Sequence, residues 1–126
     1  MRMRSAVAAA GLAGALACLV APSAVAMSGA LTVSFGKISY DDSGDSYTVC
    51  DTATDSVGVT GRISVQQADG SWHHFAWRRD GTGDDGTCAG NNVDVLREAA
   101  DVRLTICRQN GADGPRYDCR SATLLG

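Results

Sequence analysis

Apolar and polar residues alternate with a period of two along most of the chain after residue 27. In SVGVTGRISVQ, residues 56–66, one face of an extended strand carries Val57, Val59, Ile63 and Val65. The segment DVRLTICR, residues 101–108, repeats this pattern. A period of two is typical of half-buried β-strands, whereas an amphipathic helix would show a period of 3.6 residues.

Further strands are predicted at SYTVCD, residues 46–51, and RYDCRSATL, residues 116–124. In LTVSFGKISY, residues 31–40, the alternation changes phase at Gly36, which predicts a glycine bulge within one strand. Turn sequences rich in Asp, Gly and Asn separate the segments: DDSGD, QADGS, RDGTGDDG and QNGADGP. REAAD, residues 97–101, is expected to form one helical turn.

The composition agrees with an all-β chain. Thirteen Asp accompany a single Glu, and the chain has 15 Gly, which favours turns over helices. We therefore predict one immunoglobulin-like antiparallel β-sandwich of about seven short strands, because that fold needs short alternating strands with frequent turns.

The first residues predict export. MRMR is basic, Ala6–Ala21 is apolar, and Ala24-Val25-Ala26 is typical of a signal-peptidase site. We expect a signal peptide at residues 1–26 and a single secreted domain at residues 27–126. The alternative, a lipid anchor on Cys18, lacks the leucine expected three residues earlier, where Ala15 stands. We therefore expect no membrane attachment after cleavage.

Four cysteines remain in the mature chain: Cys50, Cys88, Cys107 and Cys119. An even number in a small exported domain indicates two disulfides. Cys107 and Cys119 lie symmetrically about a predicted turn, so they would face each other on a hairpin. That leaves Cys50 with Cys88, although four cysteines allow three connectivities.

The chain resembles a loose group of proteins in its signal peptide, in its segments SYTVCD, SVGVTGRISV and VRLTICRQNG, and in its final cysteine. These are small secreted two-disulfide β-sandwich proteins of unknown function from high-GC Gram-positive bacteria. The resemblance implies a fold and an extracellular location. It implies no catalytic residue.

Charge narrows the choice of partner. The full chain has a net charge of −3, and removal of Arg2 and Arg4 with the signal leaves nine basic and fourteen acidic residues, a net charge of −5. Such a chain repels phosphate backbones, so we do not expect nucleic acid as the main partner.

SWHHFAWRRD, residues 71–80, holds both tryptophans and both histidines. On one continuous strand, Phe75 and Trp77 would face the core. The residues left facing outward are candidates for a surface that binds an extracellular protein or glycan: Trp72, His74 and Arg78. Adjacent histidines on a strand point to opposite faces, so they cannot hold one zinc ion.

Two Asp-rich loops are weak calcium candidates. The residues concerned are Asp41, Asp42 and Asp45 in the first loop, and Asp80, Asp84 and Asp85 in the second. Calcium prefers several carboxylate oxygens at alternate loop positions, but neither loop has the closing Glu of an EF-hand. We expect solvated turns here, and no cofactor.

No nucleophile elbow, phosphate loop or dinucleotide fingerprint occurs, so we expect no enzyme, a hydrolase included. The main alternative to a binding module is a secreted protease inhibitor. Its reactive loop would be residues 108–116, closed by Cys107 and Cys119, with Arg116 as the specificity residue.

Overall fold

The computed structural model describes residues 28–81, 87–93 and 100–126. The predicted signal peptide lies outside these ranges, as do the calcium candidates Asp84 and Asp85 and most of the predicted helical turn at 97–101. Within the described ranges every regular element is a β-strand, which confirms the all-β prediction. The same ranges include no helix that is long and apolar enough to span a membrane.

Nine strands follow one another along the chain: β1 (Gly29–Val33), β2 (Gly36–Asp41), β3 (Ser46–Asp51), β4 (Gly58–Gln66), β5 (Trp72–His74), β6 (Arg78–Asp80), β7 (Ala89–Asn92), β8 (Val102–Gln109) and β9 (Arg116–Leu124). The prediction of about seven strands is too low, because two segments that were predicted as single strands, residues 31–40 and residues 71–80, are each divided into two.

The first divided segment is residues 31–40. Val33 pairs with Gly36, so β1 and β2 form a hairpin whose two-residue turn is Ser34 and Phe35. The predicted glycine bulge is therefore wrong. The alternation changes phase because Phe35 belongs to the turn. From there its side chain packs into the core and is only 4% exposed.

The strands form two antiparallel sheets. The four-stranded sheet has the order β1-β2-β3-β7, and the five-stranded sheet has the order β5-β4-β8-β9, with β6 also paired to β4. The chain crosses between the sheets after β3, after β6 and after β7. These crossings bring the inner faces of both sheets together around one core.

The core follows the alternation predicted from the sequence. It consists of these buried residues: Phe35, Ile38, Tyr40, Tyr47, Val49, Val59, Ile63, Val65, Ala100, Val102, Leu104 and Ile106. In β4 the outward residues Thr60 and Ser64 are also buried, each 1% exposed. The Thr60 hydroxyl donates to the backbone carbonyl of Arg78, and the Ser64 hydroxyl bonds to the His74 ring, so these neighbours cover both short side chains.

Two polar contacts tie the sheets to each other. The Tyr47 hydroxyl, on β3, donates a hydrogen bond to the backbone carbonyl of Ala76, beside the five-stranded sheet. The backbone N–H of Asp51, also on β3, donates to the carboxylate of Asp80 on β6 over 2.8 Å. Both contacts satisfy polar groups that would be costly to bury alone.

Both predicted disulfides are confirmed: Cys50–Cys88 and Cys107–Cys119. Val49 pairs with Ala89, so continuing that register places Cys50 opposite Cys88, with 4.5 Å between their Cα atoms. Cys107 and Cys119 join β8 and β9, with 4.1 Å between their Cα atoms. Each disulfide joins neighbouring strands of one sheet, so neither crosses the core.

Candidate functional site

The stretch from Trp72 to Asp80 contains one extra residue relative to its partner strand. His74 pairs with Ser64, and Arg78 pairs with Gly61. Three residues, 75–77, therefore lie opposite only two, 62 and 63. This is the arrangement of a β-bulge, which shifts the alternation by one position.

The bulge changes which side chains face outward. Phe75 packs against the core as predicted. Trp77, which was expected to join it, instead lies on the outer face of the five-stranded sheet, the side away from the core, where it contacts Arg62. The prediction that Trp77 points inward is wrong, because one inserted residue reverses the side on which it emerges.

The predicted binding surface is divided by the same bulge. Trp72 pairs with Gln66 and His74 with Ser64, so both lie on the outer face. Arg78 is exposed, but it pairs with Gly61. A Cβ added to Gly61 would contact Ile38 and Val49, so this position of the strand faces the core. Arg78 therefore belongs to the opposite side of the strand, and the outward grouping of all three residues is wrong.

Three arginines other than Arg78 accompany the tryptophans on the outer face. Arg103 lies over the Trp72 ring, with 4.0 Å from its guanidinium carbon to the ring centroid. Arg62 and Arg116 both lie over Trp77, at 4.5 Å and 4.2 Å. We call Arg62, Arg103 and Arg116 the arginine cluster.

The members of the cluster are close to one another, because Arg62 and Arg116 lie over the same ring and Arg103 is a diagonal neighbour of Arg62. Burial lowers the pKa of Arg62, and the positive charges of Arg116 and Arg103 lower it further. Burial also lowers the pKa of His74, with further contributions from Arg62, Arg103 and His73. Since a guanidinium stays protonated in proteins, the outer face carries concentrated positive charge.

The described strands of the five-stranded sheet contain seven arginines but only two acids, Asp80 and Asp118. Asp80 is directed toward the four-stranded sheet. Asp118 lies 3.5 Å from Arg108, whose other partner is Asp55 at 2.7 Å. Among the described residues, no acid forms an ion pair with the arginine cluster. This face is positive on a chain whose net charge is −3.

Arg62 also has an unsatisfied donor. Its Nε is buried and has no hydrogen-bond acceptor among the described residues, and the same holds for the Nε of Arg79. A buried donor without an acceptor costs about 1–3 kcal/mol. This cost and the repulsion from Arg103 and Arg116 both make Arg62 unfavourable for the stability of the free protein.

His74 and Ser64 form a hydrogen bond of 2.6 Å between Nδ1 and Oγ. A serine beside a histidine is the minimal arrangement for nucleophilic catalysis. Here the Ser64 side chain is buried, at 1% exposure, and no acid among the described residues contacts either histidine. The bond fixes the ring of His74 against β4.

The calcium candidates are held by other contacts. The Asp41 carboxylate accepts hydrogen bonds from the backbone N–H and the hydroxyl of Ser43, and the hydroxyl bond lowers its pKa most. Asp42 accepts a bond from the Tyr40 hydroxyl. Asp80 is buried at the end of β6, not in the expected solvated turn. Within the described part of the chain, no three His, Cys, Asp or Glu side chains group as a metal site.

The proposed inhibitory loop is a compact turn. Arg108 and Arg116 belong to β8 and β9, so only residues 110–115 connect the strands. The Gln109 side chain donates to the carbonyls of Ala112 and Gly114 and draws the turn together. Because Arg116 lies over Trp77, it is not presented at the tip of an extended loop. This geometry does not favour the inhibitor hypothesis.

The alternation within β4 and within β8 puts Arg62 and Arg103 on the side opposite the core residues, but a pattern within one strand does not bring the two arginines together. The signal that identifies the cluster is the pairing of β4 with β8, in which Arg62 lies opposite Thr105 and Arg103 opposite Ser64. Comparison with protein-family models, curated proteins and solved structures gave no match for this chain.

Proposed function

We propose that this chain is a secreted binding module that contacts an extracellular partner through the outer face of its five-stranded sheet. The observation that carries the proposal is the arginine cluster: three guanidiniums converge there, and no described acid forms an ion pair with them. Arginine and tryptophan are the residues most enriched in the energetically important centres of binding surfaces.

Export is supported by the leader sequence and by the two disulfides. Residues 1–26 have the basic, apolar and small-residue segments of a signal peptide. Disulfides form and persist in oxidising compartments outside the cytosol. An extracellular location also agrees with the group of secreted bacterial proteins that the sequence resembles.

We further propose that the sandwich is immunoglobulin-like. Supporting this, the chain crosses from β3 in one sheet to β4 in the other, and β7 returns beside β3. Strands β4, β8 and β9 are neighbours, as strands C, F and G are in that fold. In this assignment β1 is an additional strand at the edge of the first sheet.

A binding panel with matched variants tests the function. Mature protein, the double variant Arg62→Gln/Arg103→Gln and the control Lys37→Gln are titrated with extracellular polysaccharides and purified exported proteins. Lys37 is exposed on the other sheet, so its replacement removes charge from outside the proposed surface. We expect a ligand whose binding is lost in the double variant and kept in the control.

Two results would count against this function. One is a ligand that binds the double variant as tightly as it binds the wild type. The other is stoichiometric inhibition of a trypsin-like or subtilisin-like protease, which would favour the inhibitor alternative.

A further inference from the structure

We infer that the arginine cluster recognises the anionic groups of an acidic polysaccharide. This inference rests on the proposed function and specifies the ligand class for the same surface. Four features of the outer face support it: the repulsion between like charges at Arg62, the spacing of the arginines, the occupied tryptophan rings and an adjacent row of hydroxyls.

Arg62 lies at the centre of the cluster. Arg62 Nε is buried and lacks an acceptor among the described residues, and Arg103 and Arg116 both affect its pKa. A guanidinium binds a carboxylate or sulfate with two parallel hydrogen bonds, and such charge-assisted bonds are stronger than neutral ones. The buried Nε is out of reach of a ligand, so an anion would bind the outer nitrogens of the Arg62 guanidinium and relieve the repulsion between the arginines.

The register spaces two of the arginines across the sheet. Arg103 lies opposite Ser64, and Arg62 is two residues away on the same face of β4. Diagonal neighbours of this kind are about 7–8 Å apart. Because Arg103 lies over Trp72 and Arg62 lies over Trp77, the two guanidiniums are separate, and each can bind its own anionic group on an extended chain.

Arginines cover at least one face of each tryptophan ring. Neutral sugars bind to open aromatic faces, but Arg103 lies over Trp72, while Arg62 and Arg116 lie over Trp77. Cation–π contacts hold these guanidiniums in place without neutralising their charge. The surface therefore presents positive charge in preference to bare aromatic rings.

A row of hydroxyls lies beside the cluster. Thr105 and Ser121 form an exposed hydrogen-bonded pair at 3.1 Å, and Thr123 pairs with Arg103 on the same face. Hydroxyls both donate and accept, so they can exchange hydrogen bonds with sugar hydroxyls next to an anionic group. This combination fits a carbohydrate that carries acids.

Peptides and nucleic acids fit this surface less well. Strands β4 and β8 have partners on both sides, so an extended peptide cannot add to them by backbone pairing. The net charge of −3 repels the dense phosphates of nucleic acid. Polysaccharides with more widely spaced acids meet less of this repulsion.

The test uses calorimetric titration of mature wild-type protein with polygalacturonate, dextran, poly-glutamate and duplex DNA. We expect binding to polygalacturonate that weakens with added salt, and no binding to dextran. Arg62→Gln and Arg103→Gln should each weaken it by about tenfold, since hydrogen bonds to charged groups are the strong ones. Lys37→Gln should leave it unchanged.

The variant Arg62→Lys separates hydrogen bonding from charge. It keeps the positive charge but removes the planar guanidinium with its paired donors, so we expect weaker binding than wild type and tighter binding than Arg62→Gln. Melting temperatures no lower than that of wild type would show that the variants remain folded. If Arg62→Gln unfolds, Arg103→Gln alone decides the outcome.

Several outcomes would overturn the inference. Equal binding to dextran would show that charge is not recognised, and tighter binding to poly-glutamate or DNA would assign a different class of ligand. If the cluster variants abolish binding of a neutral glycan or a protein, the proposed function stands and only the ligand class is wrong. If every ligand binds the cluster variants normally, both proposals fail.

Discussion

The Asp80 carboxylate on β6 accepts a 2.8 Å hydrogen bond from the backbone N–H of Asp51 on β3, so a buried acid joins the two sheets. Asp80 is only 5% exposed and Asp51 only 4%. Buried charges are tolerated where hydrogen bonds satisfy them. The Asp- and Gly-rich sequence RDGTGDDG predicted a loop residue at Asp80, whereas the structural role of Asp80 is to hold the sheets together.

Asp80→Ala should destabilise the protein. The substitution leaves the backbone N–H of Asp51 buried without its acceptor, which costs about 1–3 kcal/mol of unfolding free energy. Asp80→Asn keeps a carbonyl oxygen at this position, so its effect should be smaller. Denaturant unfolding monitored by tryptophan fluorescence measures both, and equal stability of Asp80→Ala and wild type would contradict this role.

The two disulfides should differ in their contribution to stability. Cys50–Cys88 spans 38 residues and Cys107–Cys119 spans 12. In the chain-entropy account a longer closed loop restricts the unfolded chain more, and the difference here is about 1 kcal/mol. The double variant Cys50→Ala/Cys88→Ala should thus lose more unfolding free energy than Cys107→Ala/Cys119→Ala. The reverse order in chemical denaturation would show that native packing around Cys107 outweighs loop length.

Local patterns predicted the strands well where alternation runs without interruption. The predicted segments SYTVCD and RYDCRSATL coincide with β3 and β9. The disulfides were also predictable, because cysteines that face each other on neighbouring strands come within bridging distance. Each of these features depends on the geometry of one strand or one hairpin.

The features that sequence reasoning missed depend on tertiary context. Neither central residue of the turn, Ser34 or Phe35, is Gly or Asn, and burial of the Phe35 ring beneath Arg108 stabilises the turn. The bulge before Arg78 inserts one residue without any marker of its own. The candidate site needs both this bulge and the pairing of β4 with β8, and neither is encoded in a short window.

His74 should make stability depend on pH between about 7 and 5. Its folded-state pKa is lowered, first by burial and then by Arg62, Arg103 and His73. The unfolded chain, with a histidine pKa of about 6.5, therefore binds a proton before the folded protein does as pH falls. Stability is at its full value above the unfolded pKa and declines as pH falls toward the folded pKa.

The measurement is the melting temperature across this pH range. His74→Gln should flatten the dependence, because glutamine does not titrate and can still bond to Ser64. His73→Gln is the matched control on the same strand, and it should leave most of the dependence in place. A wild-type melting temperature that stays constant from pH 7 to 5, or an unchanged slope in His74→Gln, would contradict the assignment.

Arg62→Met should stabilise the free protein while weakening ligand binding. Methionine keeps an unbranched side chain beside Trp77 but removes a buried donor that lacks an acceptor and a charge repelled by Arg103 and Arg116. Removing the unsatisfied donor gains about 1–3 kcal/mol, and losing the cation–π contact costs about 0.5–1 kcal/mol. The expected result is a net gain of about 1 kcal/mol in denaturant unfolding. Opposite effects on stability and on binding are expected at a residue that serves function. Replacing a residue that serves only stability would lower both the unfolding free energy and the ligand affinity. A clear loss of stability in Arg62→Met would show that Arg62 supports the fold, and the cluster would then lose its main argument as a binding site.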